Sequence, residues 1–288
     1  MRGKKTWIAI LLSVLLVLPL LQGCRQKTPE EIFDEAVAGM AKLESVHMDV
    51  NMTMEMTIMG QTLNMDMGIA SDIMMKEPIM GYMLVTVAAG GMSMEMPTYI
   101  EQSGDAFMTY VGLDDGSGLV WTRQKAESMP IDSNMVSADA LTEFTYIEEE
   151  SAEDENLLRY RGTVDATQLK SLMNSSADGL GMLYGDDDAM LNAALEAVGG
   201  VEMIVTVDKK SGHIVRMEMD MGEMMQAFFK TLSDDAGTSG MDLSSLLKIG
   251  QIPVVVEYSR FNEIEKIEIP AEALEAELIE EDIAADAA

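Results

Sequence analysis

The sequence predicts an α+β protein built on a curved, half-open antiparallel β-barrel of about eleven strands, with helices covering its concave face. Three observations support this prediction. Polar and apolar residues alternate with period two over several long stretches, as in strands that bury one face. Glycine-containing turns separate consecutive stretches, which indicates hairpins. Helical patterns stand before the first stretch and between later ones, so helices are available to cover the sheet.

The N-terminus has the pattern of a secretory leader. A basic segment at residues 2–5 precedes an apolar run at 7–21, which is short for a bilayer span of about 20 residues. The following Leu-Gln-Gly-Cys resembles a bacterial lipobox, in which Cys24 becomes the lipidated N-terminus. Cys24 is also the single cysteine, so neither an internal disulfide nor a thiolate metal cluster is expected. We therefore expect residues 1–23 to be removed as a lipoprotein signal peptide.

A helix is predicted directly after this anchor. Thr28 is a suitable N-cap, Pro29 occupies the first helical position and Glu31 completes a capping box. Apolar residues at helical spacing continue the pattern to about Ser45. Residues 24–27 form the only tether, so the domain is expected to lie close to the membrane.

The next stretch, residues 46–69, is a predicted β-hairpin whose apolar positions are mostly methionine. Polar residues occupy almost every intervening position, which places the methionines on one face. The apolar positions of its two arms are Met48, Val50, Met52, Met54, Met56, Ile58, Leu63, Met65, Met67 and Ile69.

Shorter strands are predicted through the middle of the chain. A strand at 80–88 is followed by an alternating strand bearing Met92, Met94 and Met96, and then by a separate hairpin at 99–111. A short strand around Trp121 and a strand pair at 145–150 and 157–164 follow. Helices are expected after Ser137, Asp165 and Asp186.

The last third of the chain repeats the alternation of the first hairpin. One predicted hairpin carries its apolar side chains at Val201, Met203, Val205 and Val207, then at Val215, Met217, Met219 and Met221. A helix at 224–232, a strand at 252–258 and a short strand at Ile267 and Ile269 complete the predicted domain, residues 28–270. The acidic residues 271–288 are expected to form a frayed, solvated tail.

Charge and motifs exclude several classes of function. The formal net charge is -31, which argues against binding to nucleic acid or directly to an anionic bilayer. The sequence has no serine-hydrolase, zinc-protease or phosphate-loop motif and only two histidines, His47 and His213. We therefore expect no enzymatic activity and no cofactor.

The methionines support three interpretations. Flexible thioether side chains adapt to varied apolar partners, which favours a hydrophobic cavity. A solid core is the plainer alternative. The spacing Met52-x-Met54-x-Met56 also suits Cu(I), but aliphatic residues share the same face and the methionines are spread over many strands, which disfavours a metal site. The candidate cavity residues are Met48, Val50, Met52, Met54, Met56, Leu63, Met65, Met67, Met92, Met94, Met96, Met203, Val205, Val215, Met217 and Met219.

Four features occur together in this sequence: the lipobox, the capped helix, the hairpin sequence SVHMDVNMTMEM and the closing segment YSRFNEI to IEIP. In this combination the sequence resembles methionine-rich lipoproteins of Gram-positive bacteria with no assigned function. Those proteins are similar in fold to the LolA/LolB and LppX/LprG lipoprotein carriers. The resemblance spans residues 24–270 and implies a half-open barrel, lidded by helices, that binds acyl chains. No functional residue except Cys24 is carried over.

These observations predict a lipoprotein anchored to the outer face of the cell membrane through lipid on Cys24. Its expected ligand is a lipid or the acyl chain of a lipoprotein, held without covalent chemistry. A monomer is expected. A Cu(I) chaperone and a non-catalytic structural or regulatory envelope protein remain the alternatives.

Overall fold

A computed structural model describes residues 27–58, 60–104, 106–114, 116–126, 144–151, 154–164, 197–235 and 247–279 of the 288-residue chain. The leader, Cys24, the helices expected after Ser137, Asp165 and Asp186, and residues 280–288 all lie outside these ranges. Within them, no helix is both long and apolar enough to cross a membrane.

The described chain is mostly β-strand, with a few helices. The helices are α1 Pro29–Met40, α2 Glu148–Ser151, α3 Gly222–Asp235 and α4 Ala271–Leu274. The strands are β1 Ser45–Ile58, β2 Gln61–Met74, β3 Met80–Ala89, β4 Met92–Ser103, β5 Ala106–Asp114, β6 Leu119–Ala126, β7 Thr145–Tyr146, β8 Leu157–Val164, β9 Val201–Asp208, β10 His213–Asp220, β11 Leu247–Ile249, β12 Pro253–Ser259 and β13 Glu277–Ile279.

All thirteen strands belong to one open, curved sheet. Its order is β13-β6-β5-β4-β3-β2-β1-β12-β10-β9-β8-β7, and β11 pairs with the far end of β1. Every pairing is antiparallel except the parallel contact of β13 with β6. The predicted open antiparallel sheet is therefore confirmed, and it has two more strands than the sequence suggested.

The capping box at the start of α1 forms as predicted. The Glu31 backbone N–H donates to the Thr28 hydroxyl, and the Glu31 carboxylate accepts from the Thr28 backbone N–H. The helix ends at Met40, earlier than expected, because the chain must already be extended at Ser45. There the Asn262 side-chain oxygen accepts from the Ser45 backbone N–H, and the Ser45 carbonyl accepts from the Asn262 backbone N–H.

The first hairpin confirms the predicted alternation. Strands β1 and β2 pair over their full length, from Ser45 opposite Met74 to Ile58 opposite Gln61. On its other side β1 pairs with β12 and β11, so it occupies the middle of the sheet. We call the face that carries Val46 and Met48 the core face, and the opposite one the polar face.

Strand β4 corrects the prediction of two separate segments at 92–96 and 99–102. It is continuous, and Pro97 lies within it opposite Leu84 of β3. Pairing with β5 begins only at Thr98. Pro97 therefore stands at an edge position, where the missing N–H of proline is tolerated.

The strand expected at 145–150 is also shorter in the structure. Only Thr145 and Tyr146 pair with β8, and residues 148–151 form the helical turn α2. In β10 the alternation is interrupted by a bulge, because Ile214 pairs with Val207 and Arg216 with Thr206. Val215 has no β9 partner, so its predicted place on the methionine-bearing face is wrong.

The C-terminal segment differs most from the prediction. Residues 260–279, which we call the C-terminal strap, leave β12 and reach β13 at the opposite edge of β1–β6. Ile267 and Ile269 form no strand, and 271–279 form α4 and β13 instead of a frayed tail. Ile264, Ile267 and Ala273 of the strap are buried. Burial of these small and branched side chains explains why this acidic segment is ordered.

The strap lies on the polar face. The Arg260 guanidinium contacts Asp72 of β2 at 3.1 Å, and the Ser45 hydroxyl accepts from the Ile264 backbone N–H. At the far end Arg123 of β6 donates to the Leu274 carbonyl. These contacts connect the start of the strap to β1 and β2 and its end to β6.

The main core lies between the core face and the helices α1 and α3. Phe33 of α1 stacks on Phe144, with 5.3 Å between ring centroids, and contacts the tilted ring of Tyr160 of β8 at 4.6 Å. The Tyr160 hydroxyl donates to the Pro29 carbonyl at 2.6 Å, which fixes the start of α1. Met224 and Met225 of α3 belong to the same buried cluster.

Two buried strand glycines on the core face, Gly162 of β8 and Gly81 of β3, provide a test of this packing. A Cβ on Gly162 would lie 2.8 Å from the Phe144 ring, whereas a Cβ on Gly81 would lie 3.8 Å from Ile100. We expect Gly162→Ala to lower the free energy of unfolding by about 1–3 kcal/mol, because the stacked Phe144 ring must move. Gly81→Ala is the matched control and should change it by less than about 0.5 kcal/mol. Urea unfolding measures both; equal effects would contradict the packing described here.

Candidate functional site

The strand registers join the predicted apolar positions into rows across the core face. One row runs Met217, Val256, Val50, Ile69, Val85 and Met96 over β10, β12, β1, β2, β3 and β4. The next row runs Met203, Met219, Val254, Met52, Met67, Val87 and Met94. A third continues Met54, Met65, Ala89 and Met92. The face is therefore apolar from β9 to β4.

Burial along this face falls from one end to the other. Met48 is 5% exposed and Met203 1%, both within the packed core under the helices. Met52 and Met54 are half-buried against the edge of that core. At the tip of the β3–β4 hairpin, Met94 is 49% exposed and Met92 77%. Packed core thus gives way to uncovered apolar surface on one continuous face.

The predicted site residues divide into four groups along this gradient. Met48, Met203, Val205 and Met217 are core residues. Val50, Met52, Met54, Met56 and Met219 are half-buried and pack against the core. Leu63, Met65, Met67 and Met96 are half-buried, and Met92 and Met94 are exposed. The remaining residue, Val215, lies at the β10 bulge.

Sequence analysis missed several residues of the same face. Leu113 of β5 and Val120 of β6 lie opposite each other, share the face of Val111 and are 43% and 48% exposed. They extend the uncovered apolar surface beyond β4. Both belong to short strands whose alternation is too brief to show which face is buried.

The core face carries no Asp, Glu, Lys or Arg on strands β1–β6, β8–β10 and β12 within the described residues. All six lysines and arginines of the described strands are on the polar face instead. They are Arg123, Lys125, Arg159, Arg161, Arg216 and Lys248. Several form ion pairs there, such as Arg216 with Glu257 at 2.6 Å and Arg159 with Glu218 at 2.8 Å.

His47 is on the polar face, as the alternation predicts, but it is half-buried. Its Nδ1 lies 2.6 Å from Asp72 and its Nε2 lies 3.0 Å from Asp49. Asp72 also binds Arg260 of the strap. This network supports a structural role, since it connects β1, β2 and the start of the strap.

His213 is half-buried beside the Phe261 ring, at 4.4 Å between ring centroids. Its Nδ1 is buried without a hydrogen-bond partner. Burial lowers the pKa of His213, and the nearby Asp208 carboxylate opposes this effect. The His213 ring therefore packs against Phe261, and burial favours its neutral form.

Within the described residues, two buried hydroxyl groups on the core face have no hydrogen-bond partner. They are the Tyr258 hydroxyl of β12 and the Thr109 hydroxyl of β5. Burial raises the pKa of Tyr258, so its hydroxyl is a neutral donor. No nucleophile–base pair accompanies it on this face within the described strands.

The described residues contain no group of three or more His, Cys, Asp or Glu that could hold a metal ion. The hairpin register does, however, bring four methionines together. Met52 lies directly opposite Met67, and Met54 lies directly opposite Met65. This adjacency differs from the scatter that the sequence pattern suggested.

Comparison with known proteins identifies a family. A model described as "Family of unknown function (DUF6612)" matches residues 28–277. No curated protein matches the chain. The chain is similar to LprF from Mycobacterium bovis at 12% identity, covering 86% of this chain and 100% of that one, with a TM-score of 0.39. It is similar to a DUF1329 family protein from Desulfovibrio piger at 10% identity, covering 84% and 96%, with a TM-score of 0.25.

TM-scores of 0.39 and 0.25 are too low to carry a functional argument. The function is therefore inferred from this chain's own residues.

The burial gradient predicts an order of methionine oxidation. Because exposed thioethers react with peroxide before buried ones, Met92 and Met94 should oxidise faster than Met203 and Met224, by on the order of tenfold. Peptide mass spectrometry of the folded protein after timed hydrogen peroxide treatment measures these rates. Protein unfolded in urea is the control and should lose the order. Equal rates in the folded protein would show that the β3–β4 tip is covered.

Proposed function

This chain belongs to the DUF6612 family of unknown function, and we propose that it is a membrane-anchored extracytoplasmic lipoprotein that binds or transfers a hydrophobic ligand. The ligand is a lipid or the acyl chain of a lipoprotein. The observation that carries the proposal is the half-exposed, methionine-rich part of the core face, at the end of the sheet where β1 turns into β2 and β3 turns into β4.

Leaving this apolar surface in water costs free energy. Full burial of a methionine or leucine side chain stabilises the buried state by about 1.5–3 kcal/mol. A row of half-exposed side chains therefore gains much of this free energy when an apolar ligand covers it. Contiguous apolar patches on soluble proteins commonly mark binding sites. Met52, Met67, Met94 and their neighbours form such a patch because the strand registers place them side by side.

The chemistry of the face favours an apolar ligand held without covalent change. It carries no charged residue on the strands that form it within the described chain. Thioether side chains have three rotatable bonds and a polarisable sulfur, so they adapt to acyl chains of different length and unsaturation. Binding and release through such a surface need no catalytic group.

The anchor completes the proposal. Lipid on Cys24 would hold α1, and therefore the domain, within a few residues of the membrane surface. Two or more acyl chains give stable attachment, whereas one chain alone is marginal. A domain held there can exchange an apolar ligand with the bilayer over a short distance.

Adjacent residues of β1 provide a matched test of ligand binding. Met54 is on the core face and Thr53 is on the polar face, where its hydroxyl donates to Asp66. We expect Met54→Glu to lower labelling by a photoreactive acyl lipid in membranes about tenfold or more, because a carboxylate would have to be desolvated by the chain. Labelling of the purified band in a gel measures the change.

Thr53→Glu adds the same charge one residue away and should leave labelling unchanged. Circular dichroism of both variants checks that the sheet is intact. Equal labelling of both variants and the wild type would place lipid binding elsewhere, and labelling lost equally in both would indicate a non-specific charge effect. Either result contradicts binding at the core face.

A separate prediction concerns the anchor. Cys24→Ala removes the thiol that accepts lipid, so the chain should incorporate no alkyne-tagged fatty acid and should move from the detergent phase to the aqueous phase in a phase-partition assay. Ser13→Ala, within the apolar part of the leader, is the control and should remain labelled. Persistence of the label in Cys24→Ala would contradict lipidation at this residue.

A further inference from the structure

Four methionines form a compact square on the core face of the first hairpin. We call Met52, Met54, Met65 and Met67 the methionine quartet. Met52 pairs directly with Met67, and Met54 pairs directly with Met65. The members on each strand are two positions apart, with one residue between them, so all four side chains leave the sheet on the same side.

Strand geometry sets the size of this square. Directly opposed Cβ atoms in an antiparallel pair lie about 4.5–5.5 Å apart. Positions two residues apart along a strand are separated by roughly 6.6 Å, twice the rise of about 3.3 Å. A methionine sulfur lies two bonds beyond its Cβ on rotatable bonds, so the four sulfurs can converge on one point above the centre of the square.

Apolar side chains enclose the quartet. Val50 and Ile69 form the pair before it, and Met56 and Leu63 form the pair after it. Val87 and Ala89 of β3 flank one side. No carboxylate, imidazole or cation lies on this face of the flanking strands within the described residues, so thioether sulfur is the ligand that it offers to a metal ion.

The quartet is also accessible. All four members are half-buried, neither sealed in the core nor fully exposed. Met52 and Met54 pack against the core cluster, whereas Met65 and Met67 lie outside it. One half of the square is therefore positioned by packing and the other half is free to adjust.

We propose that the methionine quartet is a binding site for a soft monovalent cation, Cu(I) or its analogue Ag(I). A set of neutral thioethers selects soft cations and offers little to Zn²⁺, Mg²⁺ or Ca²⁺, which need imidazole, thiolate or oxygen ligands. A neutral site within a strongly acidic protein also attracts cations at long range. This site is independent of the proposed apolar ligand, although both use the same face.

Ag(I) is the direct probe because it does not change its oxidation state during the experiment. The full chain, purified in detergent, should bind one Ag(I) per molecule tightly, as measured by native mass spectrometry and by competition with a chromogenic Cu(I) chelator for Cu(I). X-ray absorption at the silver edge should show a first shell of sulfur alone. Zn²⁺ and Ca²⁺ should not compete.

Leucine has nearly the volume of methionine but no sulfur, so it removes the ligand and keeps the packing. The double variant Met65→Leu/Met67→Leu changes only the two members outside the core cluster and should weaken Ag(I) binding by about a hundredfold or more. The quadruple variant should abolish stoichiometric binding. The matched control is Met74→Leu/Met80→Leu/Met108→Leu, which removes three half-buried methionines from the polar face.

Loss of binding in the quartet variants, with binding retained in the control, supports the site. Equal affinity in wild type and double variant, a silver shell containing oxygen or nitrogen, or no binding at micromolar Ag(I) overturns it. The lipid proposal is decided by the labelling of Met54→Glu and Thr53→Glu, and the cation proposal by the Ag(I) affinity of the double variant, so either proposal can fail without the other.

Discussion

The structure depends on the strict alternation of strand β1. Its fourteen residues pair with β2 along their whole length and with β12 and β11 on the other side. The register of these pairings determines which side chains of each neighbouring strand share a face with those of β1. A slip of one residue would move the methionines to the polar face and the carboxylates into the core, which is energetically prohibitive. The register of this single strand therefore determines which face of the sheet is apolar.

This constraint produces a face longer than the described helices cover. Strands β8–β10 and β12 supply their apolar side chains to a core sealed by Phe33, Met224 and Met225. Towards the turns that join β1 to β2 and β3 to β4, the same rows continue with methionine side chains, which are first half-buried and then exposed. Methionine suits such a boundary because it can pack against the core when the surface is bare and against an apolar ligand when one is bound. The strap lies on the opposite, polar face and contacts the hairpin there.

Much of this organisation could be predicted from sequence, because alternation is a local signal. The capped helix, the long hairpin and the one-sided apolar face follow from residues close together in the chain. The strap could not be predicted, since Ile264, Ile267 and Ala273 are ordered by contacts with strands far away in sequence. The β10 bulge interrupts an alternation that is regular in the sequence. The position predicted for Val215 was therefore wrong. Alternation also predicts which face of the sheet carries Met92 and Met203. It does not predict that Met92 is exposed and Met203 is buried, because burial depends on which part of the face the helices cover.

The most direct test of the central claim, that the uncovered part of the core face holds an apolar ligand, uses the methionines themselves. Cells grown with photo-methionine incorporate a diazirine at these positions, and irradiation joins each one to whatever it contacts. The account predicts adducts of lipid mass on peptides containing Met52, Met67 and Met94, and none on those containing the polar-face Met80 and Met108. Lipid adducts confined to the polar face, or adducts of protein only, would contradict it.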